Sequence, residues 1–494
     1  MKVVAHNPCA GGAFARLPLM LSVMQELLDA GHEVVDVVCD GVVPACVISL
    51  DGHPAICNFC HKRALVGAAR VQGRLRVLEL SEFVPVDLSL ALFMKDDRFA
   101  DLAELKAIHY RGVDIGYAAL SSYAQVTRDP EPDLVDPRVR TALQDLLTTG
   151  KLVYEAWTHV LAQERPDRVV MFNGRLAIDR PVLRLCQQRG IECHVYEITA
   201  GVDGVARFEN ALPHDIDYLV RDIRATWDAA GDDRGDVASA FYAMRRAGAA
   251  VGQAAGQTIR TNEVSYVGRQ VGGRLPEGWR ADAHNVVLFG SSDDEFGAIA
   301  PEWEVAVYPS QLAAVHALGG SLAGTDTRVY FRMHPRLTGM DRPFVHAMCG
   351  LIGRYPNVIV VPPESPVSSY ALLDAAALVM TVRSTVTMEA IFAGKPCVTL
   401  ANSYYRQLGG SYAPTTHAEV LTLLRVPPPP KNPLPAMQFG YWRMRSGRSQ
   451  VHYAGDKTRG SRRGYTFQGD PIDVGGLAKL RYRLARWRQK RAWA

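Results

Sequence analysis

The chain has 494 residues, 48% of them hydrophobic, with a formal net charge of +4. That length and apolar content exceed one ordinary domain, exclude a disordered chain and make two domains the default. No uncharged apolar run is long enough to cross a bilayer, which excludes a helical membrane-spanning protein.

Val3 to Asn7 reads as a strand, Pro8 to Gly12 as a glycine-rich turn, and the residues to about Leu28 as a helix, before Gly31-His32 and a strand over Glu33 to Val38. This is a βαβ start. Gly11, Gly12 and Arg16 interrupt the opening stretch, so it does not read as a secretion signal, and nine cysteines without one imply a reducing, cytoplasmic setting. Asp40 follows the second strand. Cys39, Cys46, Cys57 and Cys60 then fall close together, ending in a CxxC and followed by His61. Four sulfurs with one CxxC knuckle suit a structural zinc site in an irregular loop over 39–61, and by ligand count alone an iron–sulfur cluster; buried free thiols and a redox pair are the alternatives, because the second knuckle of a zinc ribbon is missing.

Residues from about 95 to 163 read as helical. A second βαβ unit runs from Arg165 to Gly201, with FNGR at Phe172 to Arg175 after its first strand and Glu197 at the end of the strand HVYEIT. Asn173, Gly174 and Arg175 suit hydroxyl and carboxylate recognition; the simpler reading of Asn173-Gly174 is a tight turn. Residues from about 216 to 265 again read as helical, and the breaker-rich Gly272–His284 reads as a hinge.

A new Rossmann-like unit opens at Asn285 with NVVLFGSSDDEF, followed by a helix over about Ser310 to Leu318 and the strand RVYFRM, which runs into His334-Pro335-Arg336. Proline keeps His334 extended, and an imidazole and guanidiniums (Arg332, Arg336) at a strand's carboxyl end can meet phosphate oxygens. Leu378 to Leu400 reads as buried strand, hydroxyl-rich turn, helix and strand. Ser384 and Thr385 at the helix start can donate to a phosphate, and Glu389, one turn further on the same face, can accept from a ribose diol. The plainer alternative is a capped helix with Ser384 and Glu389 as its capping residues. Pro427 to Lys431 stops regular structure, and a Gly- and Arg-rich tail leads to a last helix.

From Lys479 to Arg491 there are seven basic residues and no acidic one, interleaved with Leu480, Leu484 and Trp487, so the rest of the chain carries about −3. Residues 474–494 therefore read as a basic amphipathic helix able to rest on anionic lipid, or as a packed helix with solvated charges; no nucleic-acid motif accompanies them.

FNGR, FGSSDDEF at Phe289 to Phe296, RMHPR at Arg332 to Arg336, SPVSSYALLDAAALVMT at Ser365 to Thr381 and STVTMEAIFAGKPCVTL at Ser384 to Leu400 together resemble bacterial capsule and surface-polysaccharide biosynthesis glycosyltransferases of the GT-B type, over roughly residues 165 to 405. The resemblance implies an α/β fold with two Rossmann-like domains facing a central cleft: an acceptor domain over 1–275, a nucleotide-sugar domain over 285–426, and a tail with the basic helix over 427–494. It implies sugar transfer from a nucleotide-activated donor to a growing surface polysaccharide or glycolipid, in the cytoplasm or peripherally on the inner membrane. In similar transferases that use CMP-linked acidic sugars, an HP motif and a paired hydroxyl motif grip the phosphate; the matching residues here are His334, Pro335, Ser384 and Thr385. Ser291 and Ser292 would add donors, whereas Asp293, Asp294 and Glu295 sit badly beside a phosphate. UDP- and GDP-sugars stay open. With no Asp-x-Asp pair in a metal context, leaving-group stabilisation by these side chains and inverting, metal-independent chemistry without a cofactor are expected. The base is Asp40 or Glu197, either of which can equally be a solvated loop carboxylate. A nucleotide-sugar 2-epimerase and a non-catalytic nucleotide-sugar-binding assembly factor are the rival readings.

Overall fold

The computed structural model describes residues 1–11, 15–85, 98–199, 204–261, 267–292, 296–455 and 465–493. The chain forms two units: Met1–Asp215 with Gly297–Ile299 and Gly447–Ala494, and Ile216–Phe296 with Ala300–Ser446.

In unit 1 the strands β1 (Lys2–His6), β2 (Glu33–Val38), β3 (Leu75–Glu79), β4 (Arg168–Phe172), β5 (Glu192–Ile198) and β6 (Gly204–Glu209) make a sheet of order β3-β2-β1-β4-β5-β6, with the two-residue strand Arg448–Ser449 on the far edge. β1 to β5 are parallel, and β6 is antiparallel to β5. Val3, Val4, Ala5, Val34, Val35, Val169 and Val170 are all buried, the continuous apolar pattern of strands covered on both faces. The helix Arg16–Asp29 covers one face, with Leu17, Met20, Leu21 and Met24 in the core it shares with Phe172, Phe467 and Ile472. The helices Ile115–Thr127 and Pro137–Glu164 build a second core around Ile115, Leu120, Leu143 and Leu146. Strand order reverses between β1 and β4.

Unit 2 contains a hairpin, β7 (Val251–Ala254) and β8 (Gln257–Arg260), and five strands, β9 (His284–Phe289), β10 (Thr327–Arg332), β11 (Val358–Val361), β12 (Leu378–Thr381) and β13 (Cys397–Thr399). The five are parallel in the order β11-β10-β9-β12-β13, a doubly wound arrangement with its reversal between β9 and β12. The helices Ile216–Asp228, Arg234–Ala247 and Leu434–Arg445 belong to this unit, joined by Tyr242 Oη donating to the Ala436 carbonyl at 2.6 Å and Trp442 Nε1 donating to Asp222 at 2.6 Å.

Four expectations change. The unit boundary falls at Asp215–Ile216, not at the breaker-rich Gly272–His284, because the helices after Asp215 pack with Leu434–Arg445. The helical reading of 216–265 ends at Ala247, where Gly248 takes a left-handed φ of 64° and the β7–β8 hairpin follows. Residues beyond Pro427 are not featureless: they contain the helix Leu434–Arg445 and an antiparallel pair, Tyr453–Gly455 with Tyr465–Phe467. The cysteine segment is not wholly loop, since Cys57 and Cys60 lie on the helix Pro54–Ala68, started by His53 Nδ1 accepting from Ala55 N–H at 3.1 Å.

Candidate functional site

Three loops leave the carboxyl edge of unit 2 from adjacent strands. Residues Arg332, Phe289 and Thr381 share one register across β10, β9 and β12, so the segments starting at Gly290, Met333 and Val382 emerge level with one another. Only β9 separates His334 from Ser384, a strand-to-strand span of roughly 10 Å. Gly290 N–H bonds the Arg332 carbonyl at 2.9 Å, tying the first two loops at their roots.

In the first loop Ser291 and Ser292 are buried, and Gln311 holds Ser291 from both sides: its Oε1 accepts from Ser291 N–H at 3.0 Å and its Nε2 donates to the Ser291 carbonyl at 3.1 Å. A side chain at Gly290 would begin 2.6 Å from Gln311 Oε1 and 3.4 Å from the Arg332 carbonyl, so it would displace the Gln311 amide that holds Ser291. Asp293, Asp294 and Glu295 lie outside the described residues.

In the second loop His334 Nδ1 accepts from Arg336 N–H at 3.1 Å. With Nδ1 as the acceptor of that bond, the ring carries a hydrogen on Nε2. Pro335 to Leu337 make a short 3-10 turn that sets Arg336 half-exposed beside it. Arg332 does not join this group: it is buried, its guanidinium donates to the Pro362 carbonyl at 2.5 Å and to Ser369 Oγ at 3.4 Å, and burial lowers its pKa to about 10. It pins the 362–369 segment.

In the third loop Ser384 Oγ accepts from Val386 N–H at 3.3 Å, which leaves its hydroxyl hydrogen as a donor, while Thr385 makes no capping bond through its side chain. The helix it opens spans Val386–Phe392. Glu389 is buried and engaged on both oxygens, by Arg245 Nη2 at 3.1 Å and by the Tyr370 hydroxyl. The carboxylate expected to meet a ribose is therefore an internal anchor between the helices Arg234–Ala247 and Val386–Phe392. Nothing local to Glu389 signals Arg245, which is 144 residues away.

On unit 1 the carboxyl ends of β4 and β5 bring two expected residues together. Asn173 Nδ2 donates to Glu197 Oε2 at 2.5 Å, and Glu197 Oε1 accepts from Ile198 N–H at 3.0 Å. Burial raises the Glu197 pKa, only partly offset by these bonds. Asn173 and Gly174 take φ of 64° and 77°, and a Cβ at Gly174 would begin 3.3 Å from Leu183 and Leu212, as a tight turn requires. Arg175 Nη2 bonds Gln125. Asp40 is half-buried and lies on the loop after β2, two strands from Phe172 in the sheet order.

Beneath the same edge lies a charge cluster that sequence reasoning missed. Arg16 forks onto Asp179 at 2.6 and 3.1 Å, His6 Nε2 lies 2.8 Å from the Ile178 carbonyl and 3.4 Å from Asp179, and all three are buried. Burial pushes the Asp179 pKa up, but Arg16 and His6 outweigh it and hold the carboxyl below its usual range. The pair fastens the start of the first helix to the loop after β4, where the strand order reverses. Neighbouring Asp36, in the middle of β2, is the opposite case: it is buried with only Asn7 Nδ2 at 3.4 Å, and burial lifts its pKa to about 7.

The four cysteines of the expected zinc site, Cys39, Cys46, Cys57 and Cys60, all lie in unit 1. Among the described residues no three His, Cys, Asp or Glu side chains converge on a point that could hold a metal ion. Cys60 Sγ is taken by Gly11 N–H at 3.1 Å and the Pro8 carbonyl at 3.6 Å, and Cys39 and Cys46 accept from Gly41 and Ile48 N–H at 3.4 Å. Burial raises Cys57 to about 11 and Cys60 to about 12, whereas a hydrogen bond with Cys9 lowers Cys46 to about 7.

No protein-family model and no curated protein matches the chain. Among solved structures it is similar to the Thermosulfurimonas dismutans KpsC β-Kdo 2,7 transferase, with a TM-score of 0.34 and 14% identity, covering 59% of this chain and 80% of that chain. It is also similar to the Neisseria meningitidis UDP-GlcNAc 2-epimerase bound to UDP-GlcNAc, at 0.27 and 11%, covering 99% and 100%, and to the Streptomyces sp. SF2575 glycosyltransferase SsfS6, at 0.23 and 11%, covering 90% and 97%. TM-scores this low assign neither a fold family nor an activity.

Proposed function

We propose that the chain is a glycosyltransferase that takes a sugar from a nucleotide-activated donor and passes it to a hydroxyl of a surface-polysaccharide or glycolipid acceptor. The observation that carries this reading is the shared edge of β10, β9 and β12, where an imidazole N–H, a guanidinium and four hydroxyls (Ser291, Ser292, Ser384 and Thr385) belong to three level loops at a strand-order reversal. Donors of that number and kind suit phosphate oxygens, and they stabilise the negative charge that develops on a departing nucleotide. A CMP-linked acidic sugar is the favoured donor, with UDP- and GDP-sugars as alternatives.

In this reading Glu197 is the general base and Asn173 orients it. The acceptor oxygen bonds to the anomeric carbon, the bond from that carbon to the phosphate oxygen breaks, and the acceptor's proton goes to the Glu197 carboxylate. Arg175 serves the acceptor. Arg332 and Glu389 are left out of donor contact because Arg332 faces the 362–369 segment and Glu389 joins the helices Arg234–Ala247 and Val386–Phe392.

The test is to incubate the purified chain with CMP-, UDP- and GDP-sugars, with and without a glycolipid extract. Free nucleotide released only when acceptor is present supports transfer. Conversion of a nucleotide sugar to its epimer without acceptor would make the chain an epimerase, and binding with neither outcome would make it a non-catalytic nucleotide-sugar-binding assembly factor.

A further inference from the structure

The helix Gly476–Ala492 is fixed to unit 1 along one face. Tyr482 stacks on Phe59 with ring centroids 4.1 Å apart, and its hydroxyl donates to the Gly11 carbonyl at 2.9 Å. Arg486 Nη1 donates to the Ile48 carbonyl at 2.6 Å, and Ala485 and Gln489 are buried. With that side held, the opposite side is committed to the outside. It carries Leu477, Leu480, Leu484 and Trp487, exposed by 71, 54, 53 and 55%. At 100° per residue these four fall within one arc of about 80°.

The charges are arranged around this stripe. Arg481 and Arg488 project along one flank, and Arg483 and Lys490 along the other, by the same helical spacing. The Arg491 guanidinium lies 4.8 Å from the Trp487 ring centroid, at the end of the stripe. The helix contains no acidic residue. An exposed leucine and tryptophan row between two basic rows matches a surface that is apolar within and anionic at its rim. The anionic face of a phospholipid bilayer has that chemistry: the acyl boundary takes the stripe, the headgroup phosphates take the arginines, and tryptophan suits the level between them. A second copy of the helix fits less well, because pairing stripe to stripe brings like-charged rows together.

We propose that the chain docks on anionic membranes through Leu477, Leu480, Leu484 and Trp487, with Arg481, Arg483, Arg488, Lys490 and Arg491 on the headgroups. The helix then lies in the plane of the surface. Because its inner face holds Gly11 and Ile48, which follow β1 and β2, docking brings the carboxyl edge of the unit 1 sheet close to the lipid. Docking does not depend on the transferase reading and needs no nucleotide.

The experiment is cosedimentation of the full chain with vesicles of phosphatidylcholine containing phosphatidylglycerol, against phosphatidylcholine alone. Binding to the anionic vesicles that weakens at high salt, and that falls at least about tenfold in the Leu480→Asp/Leu484→Asp double variant, is the expected result. Both leucines are exposed, so an unchanged circular dichroism melt accompanies the loss. Failure of the full chain to sediment with anionic vesicles would overturn the proposal, as would undiminished binding by the double variant. A dimer without lipid that the double variant dissolves would give the stripe to a second copy and also overturn it.

Discussion

Glu197 is a half-buried and Asp36 a fully buried carboxyl of unit 1, and they differ in what surrounds them. Glu197 has a side-chain amide and a backbone N–H on its two oxygens, near the carboxyl end of β5. Burial raises its pKa, and a carboxylate accepts a proton only when ionised, so the proposed transfer, with Glu197 as its base, should speed up with pH through a value above the ordinary carboxylate range. Glu197→Gln is expected to lower kcat on the order of 100-fold, to abolish that acidic limb and to leave nucleotide affinity alone. Initial rates across pH measure all three, and a variant of full rate would transfer the role to Asp40. Asp36 has a single long contact and no catalytic position. Its folded pKa of about 7 lies above the ordinary 3.8, so the folded state is at no disadvantage below pH 3.8 and loses stability as pH rises toward about 7, by about 4 kcal/mol in all. Asp36→Asn should therefore raise the melting temperature at pH 8 and have little effect at pH 4. An equal effect at both pH values would show that Asp36 is not protonated in the folded chain.

At the scale of elements, the parallel strands were legible because each is a short, nearly unbroken apolar run. The loops of the candidate site were legible because their hydroxyls, imidazole and guanidinium follow those runs directly. What each polar group does once there was not. Arg332 and His334 stand two residues apart in the same motif, yet one faces inward to the 362–369 segment while the other sits at the loop edge, and only the packing of Ser365 and Ser369 decides this. Glu389 has the right helical spacing for a ligand and is instead claimed by Arg245, a partner that no local pattern reveals. The cysteines are a further case: spacing alone does not disclose that Cys57 and Cys60 lie on the helix Pro54–Ala68, or that Gly11 N–H and the Pro8 carbonyl bond the Cys60 thiol. Gly290 is the element-scale test. Gly290→Ala would press a methyl group against Gln311, the residue that fixes Ser291, and should cost about 1–3 kcal/mol while weakening nucleotide binding. Chemical denaturation and titration on the same sample check this, and unaltered values of both would mean that the loop has room to spare.

Taken as a whole molecule, the chain builds each unit from segments far apart in sequence, which local breakers do not disclose. After Ser446 it returns to unit 1: Val451 N–H bonds Glu26 at 2.8 Å, His452 meets Asp29 at 3.1 Å, and Phe467 and Ile472 complete the core around Leu17 and Val34. The tail is thus part of the first fold. Phe467→Ala should destabilise unit 1 by about 3–5 kcal/mol, seen as an earlier unfolding transition, and an unaltered transition would detach the tail from that core. The two units repeat one plan, a parallel sheet wound in both directions from its first strand, and unit 2 places its hydroxyls, His334 and Arg336 at the reversal of that plan. Calorimetric titration of the full chain with CMP, UDP and GDP, repeated on His334→Ala and Ser384→Ala, tests that assignment directly. Saturable binding of at least one nucleotide, weakened about tenfold or more in each variant, is the expected result. Absence of binding by all three, or variants that bind as tightly as the native chain, would contradict it.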